Sequence, residues 1–169
     1  MPRRNLKLSA TTAQFPIAFK RFLNNYFGIS GACWQRIFLA FINDTSGGVC
    51  YFLSLYFVTQ LHFNTATAGL IVSCYGLGSI FGGALGGKLA DRISPSIISM
   101  FSLLIKAVVF LILTQVNTAP LLMISVFVLG LGTYGFTTAN NVWILNRCKN
   151  VESVKLKVIN ILYTVSNLG

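Results

Sequence analysis

Charge is what this sequence has least of. Only 9% of its 169 residues are charged, against about a quarter in an average soluble domain, and three of them, Asp44, Asp91 and Glu152, are the whole acidic complement. With His62 as the one histidine, no grouped acid–base pair or metal cluster can be assembled, which argues against an enzyme and against a bound metal or cofactor. The four cysteines, Cys33, Cys50, Cys74 and Cys148, share no short spacing, and three fall in or beside apolar runs. They read as small buried thiols, with no disulfide framework, zinc site or Cys–His nucleophile indicated.

Apolar length is what takes the place of charge. Apolar residues make up 54% of the chain and its mean hydropathy is +0.72, values that suit a multi-pass membrane protein. A hydrocarbon core of about 30 Å needs roughly 20 helical residues to cross it, and four stretches reach that length: 37–58, 66–89, 97–116 and 120–144. Lipid offers no hydrogen-bond partners, so each must close its own backbone bonds as a helix. The runs are continuous and do not alternate with period two, which excludes a β-barrel and gives an all-α integral membrane fold.

Basic residues set the orientation. Arg3, Arg4, Lys7, Lys20, Arg21 and Arg36 precede the first span, Lys88 and Arg92 lie between the second and third, and Arg147, Lys149, Lys155 and Lys157 follow the fourth. The connections at 61–65 and 117–119 contain neither Lys nor Arg. Alternation of basic and neutral loops places the amino terminus in the cytoplasm of a cell (inner) membrane. Of 13 basic residues only Lys106 departs from this scheme, so the net charge of +10 reflects topology and contact with anionic lipid, and nucleic acid is not an expected partner.

Residues 1–36 contain no acid and form a cytoplasmic basic segment ahead of the transmembrane part, 37–169. Phe15, Phe19, Phe22, Leu23, Tyr26 and Phe27 recur at helical spacing opposite Lys20, Arg21, Asn24 and Asn25. The pattern suits an amphipathic helix on the inner leaflet; a disordered basic tail leading into an early first span is the alternative. A transit peptide fits less well because no cleavage signal stands out, and the run at 37–58 is too long for a secretory signal core.

Glycine is unevenly spread. Gly78, Gly82 and Gly86 recur every fourth residue of the second span, with Gly83 and Gly87 as a further pair, so another helix can approach a face without side chains. Gly130, Gly132 and Gly135 lighten the fourth span, for packing or to line a path.

The turn at 87–92 resembles a family signature. Gly87, Leu89, Ala90, Asp91 and Arg92 match the Gly-x-Leu-Ala-Asp-Arg-x-Gly-Arg-Lys pattern that the major facilitator superfamily carries between its second and third helices; Ser94, Pro95 and Ser96 replace its glycine and two basic residues. Helix count, the cytoplasmic side and the glycine-rich preceding helix agree with it. The resemblance implies a secondary transporter of two six-helix halves, with a small solute held near mid-membrane and access alternating by rocking. It assigns Asp91 a contact with the opposite half, Gly87 a close backbone approach and Arg92 the neighbouring charge. If Gly130 matches the glycine that many relatives place four residues after a fourth-helix arginine, Val126 occupies the arginine's position, and a proton relay through it is not supported.

Two charges fall inside the spans. Asp44 lies beside Asn43 and Thr45 in the first, and its retention calls for a partner or a water-filled cavity. Desolvation disfavours its charged form, so it could take up and release a proton as a coupling group, unless it sits near enough to the inner interface to stay hydrated. Lys106 lies near the middle of the third span at similar depth, where an ion pair with Asp44, a shifted span boundary or a substrate contact would each account for it. Thr137, Thr138, Asn140, Asn141 and Asn146 could bond a substrate or, more simply, neighbouring helices, and Trp143 reads as an interfacial anchor.

After Lys157 only residues 158–169 remain, enough for roughly 18 Å of a fifth span. The expectation is therefore an amino-terminal fragment of such a transporter, with four helices and a truncated fifth from about 156. Its partners would be the bilayer, a small solute, protons, and the missing carboxy-terminal helices or another copy. A small self-assembling four-helix protein, such as a homodimeric exporter, is the alternative, and should end in a loop or tail.

Overall fold

The computed structural model describes residues 29–147 and 152–168, and every regular element among them is helical. In order these are α1 (Gly31–Thr59), α2 (Thr65–Arg92), α3 (Pro95–Leu113), α4 (Ala119–Arg147) and α5 (Glu152–Leu168). The first four are long and apolar enough to cross a membrane. The protein is an all-α membrane fold.

The apolar runs locate the helices, and turn chemistry sets their ends. α1 begins at Gly31, ahead of the expected residue 37, because an interface does not stop backbone hydrogen bonding and Gln35 and Arg36 continue the helix outward. Between α1 and α2 the chain passes through His62 at a φ of 55°, the left-handed region, and Asn64 then caps α2 by accepting from the Thr67 amide at 2.7 Å. Ile93 and Ser94 alone separate α2 from α3, whose Pro95 occupies the first turn, where its missing N–H costs nothing. α3 stops at Leu113, short of residue 116, as the Gln115 amide turns onto the Ile112 carbonyl. The aromatic stretch at 15–27 and Cys148 and Lys149 lie outside the described residues.

α4 is the central element, packed along both α2 and α3, while α1 touches α2, α4 and α5. Two apolar clusters result. Phe57, Ile71, Leu122, Val126 and Leu129 fill the end of the bundle near the α1–α2 turn. Ile37, Phe136, Ile144, Val158 and Leu162 fill the end near the α2–α3 turn. Between them lies a polar layer. Outward side chains such as Phe38, Phe52, Ile80, Phe101 and Leu111 are exposed and apolar, as a lipid-facing surface requires.

Candidate functional site

The α2–α4 seam is built from glycine. A Cβ on Gly78 would run into the Phe127 carbonyl of α4, one on Gly82 into Leu131, and one on Gly86 would stand 2.8 Å from the Gly135 Cα. From the other side, a Cβ on Gly130 would meet the Tyr75 carbonyl. Backbone thus lies on backbone along more than two turns, which brings many weak dispersion contacts within range. Gly83 and Gly87 face Thr138 at van der Waals distance without that crowding.

At the end of α2, Ala90 is buried whereas Leu89, Asp91 and Arg92 are exposed. Nearby, Arg36 donates to Ser96 Oγ at the start of α3 and lies over the Trp143 ring of α4, 4.7 Å from its centroid. Its guanidinium therefore links three helices at one end of the bundle. Sequence reasoning treated Arg36 as a topology charge and Trp143 as an anchor. Their partnership spans more than a hundred residues and had no local signal.

The polar layer sits at the midpoint of α1. Lys106, only 3% exposed, sends its ammonium from α3 past Gly132, where a Cβ would be 3.1 Å from its Cγ, to α1. There it donates to the Asn43 carbonyl at 2.8 Å and to Asn43 Oδ1 at 3.0 Å. Asn43, fully buried, donates in turn to Asp44 Oδ1 at 2.9 Å and Thr137 Oγ1 at 3.3 Å. Thr137 Oγ1 in turn donates to the Thr133 carbonyl at 3.0 Å. Asp44 and Lys106 are thus brought to one place, and Asn43 is the group that joins them. Ser166 of α5 donates to the remaining oxygen, Asp44 Oδ2. A half-buried carboxylate is held by two neutral donors, with a cation one side chain away.

Two cavities flank this layer. One of about 250 Å³ lies among α1, α4 and α5 on the side of the α2–α3 turn, and one of about 770 Å³ lies among α1, α2 and α4 on the other side. Asp44, Thr137 and Ser166 line both, so the carboxylate stands in the wall between them. Asn140 and Asn141 line the smaller cavity, and Asn146 is exposed at the helix end. Asn43 and Ser166 are the site residues that sequence reasoning missed. Asn43 was visible as a polar neighbour of Asp44, but Ser166 stands 122 positions away on another helix. Among the described residues no group of His, Cys, Asp or Glu could hold a metal ion.

A family model described as Major Facilitator Superfamily matches residues 36–169. No curated protein and no solved structure matches the chain.

Proposed function

The chain belongs to the major facilitator superfamily of transporters, and from that premise we propose that it carries a small solute by alternating access, with protonation of Asp44 as the coupling event. The observation that carries this reading is the place of Asp44: the one carboxylate in the polar layer lines both cavities and bonds to α5 through Ser166. A proton on Asp44 would neutralise the group that faces Lys106 through Asn43 and change what Ser166 can donate to. The α1–α5 contact and the charge balance of the layer would then change together. The other titratable groups facing the site are Tyr163 of α5, Tyr75 of α2, Cys50 and Tyr51 of α1 and Tyr134 of α4.

Asp91 and Arg92, exposed at the end of α2, would serve the closing contact that the family signature implies, on the cytoplasmic side of a cell (inner) membrane. Further helices of that architecture, or a second copy, would cover the cavity openings. The test is uptake into proteoliposomes from a panel of radiolabelled solutes under an inward proton gradient. Asp44→Asn should abolish the gradient-driven component while leaving exchange down a concentration gradient measurable. Uptake by Asp44→Asn that still responds to the proton gradient would overturn the assignment.

A further inference from the structure

The larger cavity, about 770 Å³, is bounded on two helices by glycines that packing does not require. A Cβ on Gly76 of α2 would meet no atom within 4 Å. One on Gly47 of α1 would come no closer than 3.7 Å to Thr133 Cγ2 and 3.7 Å to Tyr75 Oη, which is ordinary contact. The seam glycines Gly78, Gly82, Gly86 and Gly130 differ, since a Cβ on any of them would strike backbone. Inside a helix glycine is less favourable than alanine, so Gly47 and Gly76 give up helix stability for open space.

Their neighbours fix where that space lies. From α1, Gly47 points between Tyr75 of α2 and Thr133 of α4, and Asp44 stands one turn away in the same wall. On α2, Val72, Gly76 and Ser79 fall on one face and line the cavity together. The cavity thus has bare backbone on two sides, with the Tyr75 side chain reaching across from α2 and Tyr134 of α4 exposed in its lining. Asp44 is already faced by Lys106 through Asn43, so the polar layer holds one charge of each sign and selection falls to shape. Bare backbone admits a flat body at close range and a tyrosine ring can stack on it, whereas a puckered body is held off both. We propose that the larger cavity is the berth of a solute built on a planar ring, and that Gly47 and Gly76 set the width open to that ring. The inference rests on the transporter reading and names the solute class of the same site.

The probes are benzyl, cyclohexylmethyl and methyl methanethiosulfonate, which present a planar ring, a puckered ring and no ring. The reporter is Ser54→Cys, in the cavity lining, in the full 169-residue chain with its native cysteines replaced and held in lipid nanodiscs. The benzyl rate should saturate with concentration, as binding before reaction requires, and exceed the cyclohexylmethyl rate by about tenfold. Gly76→Leu and Gly47→Leu should each slow the benzyl reagent about tenfold and the methyl reagent by less than about threefold. Gly69→Leu, on α2 with open space but outside the cavity lining, should change neither. Equal benzyl and cyclohexylmethyl rates with the glycines intact would overturn the proposal without any glycine variant having to fold. A benzyl rate indifferent to either lining substitution, in a sample whose thermal unfolding matches the parent, would also overturn it. No transport enters the labelling, so its failure refutes the solute class alone, whereas uptake by Asp44→Asn tests coupling alone.

Discussion

Lys106 shows how a buried cation is kept in an apolar bundle. Its ammonium is held by two carbonyl oxygens of one residue, Asn43, and the Asp44 carboxylate in the same layer faces it through that residue without touching it. The two partners are unequal when removed. Asn43→Leu leaves a charged group with one acceptor and should destabilise the protein by roughly 3 kcal/mol, whereas Lys106→Met keeps the apolar stem, removes the charge and should cost about 1 kcal/mol. The double variant should be more stable than Asn43→Leu alone, a non-additivity that thermal unfolding in detergent would read. Additive losses would mean that the contact contributes little.

At the scale of elements, the α2–α4 seam determines how closely the bundle closes. Gly82→Ala drives a methyl group into Leu131 backbone, which cannot rotate away, so the helices must separate; a loss of about 1 to 3 kcal/mol is expected. Gly76 on the same helix has open space around a would-be Cβ, and Gly76→Ala should stay within about 1 kcal/mol of the parent. The contrast, measured by the same unfolding assay, separates close approach from a general effect of glycine on helix propensity. The Asn64 cap offers a smaller example: Asn64→Ala removes the acceptor for the Thr67 amide and should cost about 1 kcal/mol. The glycine spacing was legible in sequence, since a period of four marks one helix face. That α4 meets this face, with Gly130 and Gly135 answering it, required the folded arrangement.

For the whole molecule, the loop charges predict that Ser94 and Asn117 lie on opposite sides of the membrane. In a background with the native cysteines replaced, a membrane-impermeant maleimide should label Asn117→Cys in intact cells and Ser94→Cys only after permeabilisation. The reverse pattern would invert the orientation and with it the side from which each cavity opens. Both cavities converge on Asp44, so among the described residues a polar crossing point lies between the two apolar clusters.

The sequence by itself determined the membrane class, the positions of α1 to α4 and the resemblance carried by residues 87–92, because apolar length, loop charge and turn composition are local quantities. It also marked Asp44 and Lys106, since an ionisable side chain inside an apolar run stands out in one dimension. Only the tertiary structure decided what those charges touch. Asn43 as the shared partner, Ser166 closing on Asp44 and Arg36 stacked on Trp143 depend on helices brought together across 63 to 122 positions. The packing of one helix face on another decides such distances, and helical periodicity names the face without naming the partner.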